Sequence, residues 1–326
     1  MGYHHLSIDE REVILKMRAQ QASMQQIADH LGRNAGTISR ELSRNVSSTH
    51  DYKPHLAQRY YHRRRAQAKH PYRLQEDASL RAYVQRYLKK YWSPEQISGR
   101  VKKDHGMNIS PVTIYSWIYR HGDEGEAFHT YLRQAHRRRR KRRGGTDRRG
   151  QMPDRRMIDK RPKVVNERKR IGDWESDTVE GRKGSGFIAT HVDRKARYTV
   201  AVKTQDKSTD TVTRATFAAM KKLPPEKIKT MTFDNGKEFA GFKQLERWLD
   251  MRSYFAWPYH SWERGTNENT NGLLRQFFPK GMDFRLIRQS SLDKAVELLN
   301  NRPRKCLNYR TPTEVFWGKG VYCASG

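Results

Sequence analysis

The spacing of apolar residues in this chain changes once, near residue 171. Before this point cap and turn signals mark successive helices, and after it short strand-like segments alternate with helical ones. A chain of 326 residues is long enough for two or three domains of about 100–200 residues each. The change therefore predicts a multidomain protein in which all-α domains precede an α/β domain.

The charge of the chain is strongly positive and unevenly distributed. The formal net charge is +31, with 39 Lys and Arg against 17 Asp and Glu in residues 1–170 and 27 against 18 in residues 171–326. Such an excess favours a polyanionic partner, because Lys and Arg neutralise phosphates. The first half is thus predicted to bind nucleic acid, and the second to be closer to an ordinary folded enzyme.

Residues 6–45 carry three helix-start signals in succession. The caps are Ser7, which forms a capping-box pattern with Glu10, then Ser23, then Asn34. Gly32 allows the sharp turn between the second and third helices of a helix-turn-helix. We expect a DNA-binding domain over residues 1–50, whose third helix, about 35–44, presents four side chains to a major groove: Thr37, Ser39, Arg40 and Arg44. A structural three-helix bundle with a solvated basic face is the alternative.

Residues 92–120 repeat these signals. Ser93 and Ser110 each precede a proline in a first helical turn, Gly106 lies in the connection, and a helix over about 77–90 comes before them. We expect a second helix-turn-helix domain over residues 70–135, with three DNA contacts: Thr113, Ser116 and Arg120. The pattern leaves open whether its aromatic residues are core or contact residues; these are Tyr115, Trp117 and Tyr119.

A basic segment over residues 136–170 separates the helical part from the α/β part. It opens with an unbroken cationic run: Arg137, Arg138, Arg139, Arg140, Lys141, Arg142 and Arg143. A segment so charged buries too little apolar surface to offset its ordering entropy, so we expect a linker that is flexible when free and clamps DNA phosphates when bound. A merely solubilising or localisation tract has the same composition.

The cysteines and the apolar segments indicate in which cellular compartment the protein is expected. Cys306 and Cys323 are the two cysteines, and their spacing supports neither a disulfide framework nor a zinc module. The N-terminus lacks the apolar core of a signal peptide, and no segment has the amphipathic pattern of a membrane-surface helix. We therefore expect a soluble cytoplasmic protein that associates with the nucleoid and not with a membrane.

The second half alternates predicted strands and helices. Strands are predicted at 172–181, 186–193, 197–204, 229–233 and 252–256, and helices at about 208–222, 240–250 and 266–278. This alternation favours a layered α/β domain.

Carboxylates stand at three positions of this α/β pattern. The first strand offers Asp173, Glu175 and Asp177 on one face, and alternation does not choose among them. Asp234 ends a later strand, and Glu268 lies in the first turn of a helix. Carboxylates that converge at strand ends can hold two Mg²⁺ or Mn²⁺ ions for an in-line phosphate displacement. Taken singly, Asp234 also suits an ordinary turn, and Glu268 a helix N-terminus.

Three sequence blocks resemble the signature of one known family. They are GDWESDTVEG at 172–181, TFDNGKEF at 232–239 and WERGTNENTNGLLRQFFPKG at 262–281, and they resemble blocks of the IS30-type family of bacterial insertion-sequence transposases. Matching them residue by residue implies a catalytic DDE triad of Asp177, Asp234 and Glu268. The 33 residues between the last two are similar to the DD(33)E spacing of that family. NNRPRKCLNYRTPTEVF, at 300–316, is similar to the family's segment after the core.

The resemblance implies a fold, a cofactor and a reaction. It implies a ribonuclease-H-like, retroviral-integrase-like catalytic domain over residues 171–326 with a C-terminal helical extension and two bound Mg²⁺ or Mn²⁺ ions. The expected partners are double-stranded DNA, as terminal inverted repeats and target, and a second protomer or more. The expected reaction is strand cleavage and strand transfer by a copy-out, paste-in route. A non-catalytic DNA-binding repressor and a nuclease that never joins are the competing hypotheses.

Other residues near the acids suggest DNA contacts. Asn271 and Arg275 follow Glu268 at +3 and +7 on the same helix face, and Arg275 is predicted to hold a DNA phosphate, with a solvated helix charge as the alternative. An aromatic cluster before that helix could stack on an exposed base, although core packing is the commoner use; its members are Trp257, Tyr259 and Trp262.

Overall fold

A computed structural model describes most of the chain, as two compact units. The described residues are 4–46, 51–67, 73–120, 127–133, 154–258, 260, 263 and 265–318. One unit comprises Met1–Glu76 and the other Asp77–Gly326. Within the described ranges, no helix is long and apolar enough to cross a membrane.

The first unit is helical throughout its described residues. Its helices are α1 (Ile8–Ala19), α2 (Met24–Leu31), α3 (Ala35–Asn45), α4 (Pro54–Gln67) and α5 (Arg73–Glu76). The three predicted caps are confirmed, because Ser7, Ser23 and Asn34 each accept a hydrogen bond from the first turn of the following helix. Gly32 has a left-handed φ of 61°, which places the turn of the helix-turn-helix where the sequence predicts it.

The core of the first unit includes a buried ion pair that sequence patterns did not predict. Arg11 of α1 donates from Nε to Glu41 of α3 at 2.7 Å and from Nη1 to the Leu6 carbonyl at 2.7 Å. The Tyr52 hydroxyl also donates to Glu41, and burial together with the Glu41 charge raises the pKa of Tyr52. Helix α4 packs against α1 and α3, so this unit continues beyond the predicted boundary at residue 50.

The second unit begins with three helices and a short fourth. They are α6 (Ala78–Lys89), α7 (Pro94–His105), α8 (Pro111–Arg120) and α9 (Lys163–Asn166). Ser93 caps α7 and Gly106 ends it with a φ of 66°, as the sequence predicts. The open question about the aromatic residues of α8 has a mixed answer: Trp117 is buried, whereas Tyr115 and Tyr119 are 39% and 51% exposed.

A mixed five-stranded sheet forms the centre of the second unit. Its strands are β1 (Asp173–Glu180), β2 (Phe187–Asp193), β3 (Thr199–Thr204), β4 (Thr230–Phe233) and β5 (Arg252–Phe255), in the order β3-β2-β1-β4-β5. Strands β1, β2 and β3 are antiparallel, while β1, β4 and β5 are parallel. All five predicted strands are confirmed, with ends that shift by at most two residues.

Helices flank the sheet, with a separate apolar cluster on each face. They are α10 (Thr209–Met220), α11 (Phe242–Leu249), α12 (Gly265–Leu274), α13 (Gln289–Asn300) and α14 (Pro312–Trp317). Trp174 of β1 packs in a cluster with α10, α11 and α14, whereas Val179 of β1 packs with α12 and α13. The two residues differ by an odd number, so their side chains point to opposite faces of the strand.

Helix α12 ends earlier than the sequence predicted. The expected helix ran from about 266 to 278, but α12 ends at Leu274 and the chain turns through the next four residues. Pro279 provides the reason, because a proline disfavours helical geometry in the residue before it. Phe278 is then buried against Phe284 instead of continuing the helix.

Helix α7 is fixed to the C-terminal end of the second unit by a buried ion pair. Arg100 donates from Nη2 and Nη1 to the two carboxylate oxygens of Glu314 on α14, at 2.6 and 2.9 Å, and from Nε to Asp104 at 2.6 Å. The side chains of Arg100 and Glu314 are 3% and 10% exposed. A Cβ at Gly99 would lie 2.3 Å from the Tyr309 ring, so this approach requires glycine. Helices α7 and α8 therefore belong to the same compact unit as the sheet.

His191 makes the stability of this unit sensitive to acid. It lies in β2 opposite Ser176 of β1, whose Oγ is 2.9 Å from His191 Nδ1, and burial lowers its pKa to about 3 from 6.5. Because the unfolded chain binds this proton more tightly, the free energy of unfolding should fall as pH drops below about 6.5, by up to about 1.36 kcal/mol per pH unit. In urea unfolding from pH 7 to 4, His191→Gln should show a flatter pH dependence than the unsubstituted chain. Parallel curves would contradict this assignment.

Candidate active site

Two acidic residues lie just beyond the point where two adjacent parallel strands stop pairing. Strands β1 and β4 pair in register up to Glu175 and Thr232, and two residues further along each chain come Asp177 and Asp234. Asp177 is still within β1 and Asp234 directly follows β4, so both lie toward the carboxyl ends of this parallel pair, at the same edge of the sheet. Both are partly exposed, so they are open to a ligand from solvent.

The three acids of β1 differ in their surroundings. Asp173 is buried and accepts from the Arg170 guanidinium at 2.9 and 3.0 Å. Glu175 is buried and forms an ion pair with Arg194. Asp177 instead accepts from the Asn271 amide at 3.0 Å and from the Thr178 amide nitrogen at 2.9 Å, with part of its surface exposed. Internal cations bind the first two acids, whereas Asp177 is partly exposed and hydrogen-bonded to α12.

Asp234 opens a tight turn that also positions another acid. Its Oδ1 accepts from the Gly236 amide at 2.9 Å, which is the turn role considered from the sequence. Glu238 follows, is buried, and accepts from Thr178 Oγ1 at 3.0 Å and Lys207 Nζ at 2.8 Å. No pattern considered in the sequence pointed to Glu238, although its position within TFDNGKEF, four residues after Asp234, was a usable signal.

Helix α12 is bonded directly to β1. The Asn267 backbone nitrogen donates to Glu175 Oε2 at 3.0 Å, and one turn later Asn271 donates to Asp177. Glu268 lies in the first turn of this helix and is exposed. In the described part of the chain, no three His, Cys, Asp or Glu side chains are grouped closely enough to hold a metal ion. The structure thus pairs Asp177 with Asp234 at one edge and places Glu268 on the helix bonded beside them.

Arg275 is bound to the protein backbone. It lies just after α12 and donates from Nη2 to the Glu180 carbonyl at 2.6 Å, with its guanidinium 5.7 Å from the centroid of the Phe284 ring. Burial lowers the pKa of Arg275. These contacts differ from the solvated helix charge considered as the alternative, and they join the end of α12 to β1. Phosphate binding by Arg275 stays a prediction.

The predicted DNA-contacting residues of both helix-turn-helix motifs lie at least partly on the surface. Exposed or partly exposed are Thr37, Ser39, Arg40 and Arg44 on α3, and Thr113, Ser116 and Arg120 on α8. Arg40 donates from Nε to the Gly36 carbonyl at 2.8 Å. Trp257 is 41% exposed and donates from Nε1 to Asp159 at 2.7 Å. The run Arg137 to Arg143, with Tyr259 and Trp262, lies outside the described residues.

Comparison with known families identifies the class of protein. Residues 2–45 match the helix-turn-helix domain family, and residues 167–261 match the integrase core domain family. The second match spans all five strands of the mixed sheet and both aspartates at its edge. The chain is therefore an enzyme of the polynucleotidyl transferase type, with a helix-turn-helix region followed by a ribonuclease-H-like integrase core. The predicted fold class is confirmed.

Whole-chain relatives then give the family. The chain is 40% identical to the transposase for insertion sequence element IS4351 of Bacteroides fragilis, over 96% of this chain and 95% of that one. It is 36% identical to the transposase for IS1086 of Cupriavidus metallidurans, over 96% and 94%. It is 37% identical to transposase InsI for IS30A of Escherichia coli, over 95% and 83%. The chain belongs to the IS30 family of insertion-sequence transposases, as its sequence blocks predicted, and these relatives give no support to a repressor.

Proposed function

We propose that this transposase cuts and joins DNA at a metal-dependent site formed by Asp177, Asp234 and Glu268. The observation that carries the proposal is the position of Asp177 and Asp234, each two residues beyond the last pair that joins the adjacent parallel strands β1 and β4. The hydrogen bonds from Asn267 and Asn271, which attach the helix of Glu268 to β1, support it further. The family's sequence blocks select the same three residues.

The donor set fits hard divalent cations. Three carboxylates offer only oxygen ligands, and Asp177 and Asp234 are partly exposed at one edge of the sheet, which suits Mg²⁺ or Mn²⁺. When bound, two such ions stabilise the attacking and leaving oxygens of an in-line phosphate displacement. Asn271 orients the carboxylate of Asp177, and Gly236 does the same for Asp234. Like charges at neighbouring strand ends repel, so a cation is also the natural counterion that gathers them.

The chain's residues then serve two successive displacements on DNA. Water attacks the phosphodiester at the end of the element, and the broken bond leaves a 3′-hydroxyl. That hydroxyl attacks a second phosphodiester and displaces its 3′-oxygen, which leaves as a new 3′-hydroxyl. The element end is thereby joined to a new position, without a covalent protein–DNA intermediate. We propose a copy-out, paste-in route on the family resemblance, and at least a dimer, because two DNA ends must be held together.

The two helix-turn-helix motifs and the basic segment provide the DNA-binding surface in this proposal. Residues 1–50 and 70–135 are proposed to read the terminal inverted repeats, and residues 136–170 to clamp phosphates as a linker to the catalytic region at 171–326. The strongly positive charge of residues 1–170 supports this division. The protein is proposed to act in the cytoplasm on nucleoid DNA.

The test is strand cleavage and joining on a labelled element-end DNA. The chain should cut and join with Mg²⁺ or Mn²⁺ and do neither when a chelator removes the metal. Cleavage without joining would point to the nuclease hypothesis. Specific binding without any reaction, under every divalent metal tried, would overturn the catalytic proposal.

Arg40 tests the recognition role of α3. If Arg40 bonds a base edge, Arg40→Ala should weaken binding to the element end by about 1–3 kcal/mol, roughly 5- to 150-fold, and weaken binding to random DNA far less. Fluorescence anisotropy on both DNAs at one fixed salt concentration measures the difference. Arg18→Ala is the matched control, because it removes an exposed charge from α1 in the same unit. Equal losses on both DNAs for Arg40→Ala would reduce Arg40 to a phosphate contact.

A further inference from the structure

A small pocket at the start of α12 is lined by arginines. Its volume is about 260 Å³ and it is lined by Arg168, Arg197, Gly265, Thr266, Asn269, Thr270, Arg304 and Cys306. We call it the arginine pocket. Thr266, Asn269 and Thr270 follow the i, i+3, i+4 spacing of one helix face, whereas Glu268 shares another face with Asn271. The arginine pocket is therefore next to the proposed catalytic acid but separate from it.

The positive charge of the arginine pocket is not balanced by acids. No carboxylate is among the described residues that line it, and in the described ranges none of its three arginines forms an ion pair. Arg197 donates from Nη1 to Thr266 Oγ1 at 2.6 Å, which fixes its guanidinium against α12. Arg168 and Arg197 both have left-handed backbones, with φ of 55° and 61°. Such strain in non-glycine residues concentrates at functional sites.

Arg304 is the pocket arginine with an unsatisfied hydrogen-bond donor in the described part of the chain. Its Nη2 donates to the Leu299 carbonyl at 3.1 Å, but its buried Nε has no hydrogen-bond partner among the described residues. Burial, with Arg133 and Arg197 nearby, lowers the pKa of Arg304 to about 10, so it is still cationic at neutral pH. A buried, charged donor without an acceptor is destabilising, and an anion in the pocket would balance the charge of this guanidinium.

We propose that the arginine pocket binds a phosphate group of the DNA backbone, adjacent to the phosphodiester at the acidic site. This rests on the proposed function, because the DNA must lie across α12 to reach Glu268. Guanidinium groups match phosphate oxygens with paired hydrogen bonds, and the N-terminal end of α12 adds favourable partial charge. A volume of about 260 Å³ accommodates a phosphate with several waters, since each water takes about 30 Å³. The pocket would hold the strand in place while the neighbouring linkage reacts.

Replacing single DNA phosphates by uncharged linkages identifies the phosphate that the arginine pocket binds. Methylphosphonate linkages, placed one at a time along the element-end DNA, should weaken binding to the full chain by about tenfold wherever a charged contact is lost. Arg168→Gln removes an exposed pocket arginine, and Asn269→Asp adds a repelling charge without removing any arginine. Both variants should lose their sensitivity at the same linkage, and each should flatten the slope of log K against log salt by about 0.9. Arg247→Gln, on exposed α11 surface, is the matched control and should keep the full pattern.

Cys306 gives a second readout that needs no change in the pocket. It is exposed and lines the arginine pocket, so in a Cys323→Ser chain its alkylation by a maleimide should slow several-fold when element-end DNA binds. Free inorganic phosphate is the other ligand that could supply a phosphate group to the arginine pocket. If millimolar phosphate protects Cys306 and DNA does not, the pocket is a free-anion site and the DNA assignment is overturned. The assignment also fails if a methylphosphonate weakens binding at the same positions in both variants as in the unsubstituted chain.

The two proposals fail in different ways in these experiments. A chain that cuts and joins DNA, yet shows an unchanged methylphosphonate pattern in both variants, refutes the arginine pocket and leaves the catalytic proposal standing. If both variants lose their sensitivity to a methylphosphonate at one position, but the chain never cuts DNA under any divalent metal, the arginine pocket stands and the catalytic proposal is refuted.

Discussion

Asp234→Asn should bind element-end DNA normally but lose strand cleavage and joining by about a thousandfold or more. Asparagine keeps the shape of the side chain and can still accept from Gly236, as Asp234 Oδ1 does. It removes one of the two carboxylate charges that lie just beyond the paired segments of β1 and β4. Metal ions contribute several kcal/mol of transition-state stabilisation, and each 1.36 kcal/mol is tenfold in rate. Single-turnover assays with Mg²⁺ and Mn²⁺, alongside binding measured with Ca²⁺, separate the two effects.

Asp250→Asn is the matched control for this substitution. Asp250 is exposed and ends α11 with a left-handed φ of 48°, a conformation that asparagine tolerates well. The control should cut and join DNA at the unsubstituted rate. An Asp234→Asn protein that binds and also reacts normally would remove Asp234 from the catalytic set. Asp177→Asn should behave as Asp234→Asn does, because the two acids occupy equivalent positions on neighbouring strands.

Glu314→Gln should lower the free energy of unfolding of the second unit by about 3 kcal/mol. The substitution leaves the Arg100 guanidinium buried with only Asp104 as its acidic partner, and removing one member of a buried pair costs about 3–5 kcal/mol. The lower end applies here because Asp104 is retained. Since 1 kcal/mol shifts the melting temperature by about 2–4 °C in units of this size, calorimetry should show a decrease of roughly 6–12 °C.

An exposed ion pair between α7 and the C-terminal part of the second unit supplies the control for Glu314→Gln. Glu95 of α7 accepts from Lys305 at 2.8 Å, with the side chains 52% and 74% exposed. Exposed ion pairs contribute about 0–1 kcal/mol, so Glu95→Gln should leave the melting temperature almost unchanged. A similar decrease in both variants would show that net charge, and not the buried pair, controls the stability of this contact.

What the sequence predicted well is what short stretches of chain determine. The caps at Ser7, Ser23 and Ser93 depend on residues three positions apart, and Gly32 sets its own turn. The five strands followed from alternation and turn residues in the same way. The end of α12 at Leu274 was predicted less well, because the influence of Pro279 competes there with a helical pattern.

What the sequence left open depends on partners far away in the chain. Asp173 and Glu175 are set apart from Asp177 by their contacts with Arg170 and Arg194, and the spacing within the strand contains no trace of those partners. The resemblance to the family chose Asp177, and the geometry gives a physical reason for that choice. The arginine pocket combines residues from four separate segments of the chain, so no local pattern could have revealed it.

The buried pair of Arg100 and Glu314 also has a consequence for the order in which the newly made chain can fold. The two residues are 214 positions apart, so at about 5–20 residues per second a ribosome needs roughly 10–40 s to make the second after the first. Throughout that interval the Arg100 guanidinium can pair with Asp104 of its own helix but not with Glu314. The first unit depends on no later residue for its own buried pair, Arg11 with Glu41. We therefore expect the DNA-reading N-terminal helices to be native on the ribosome well before the catalytic unit can close.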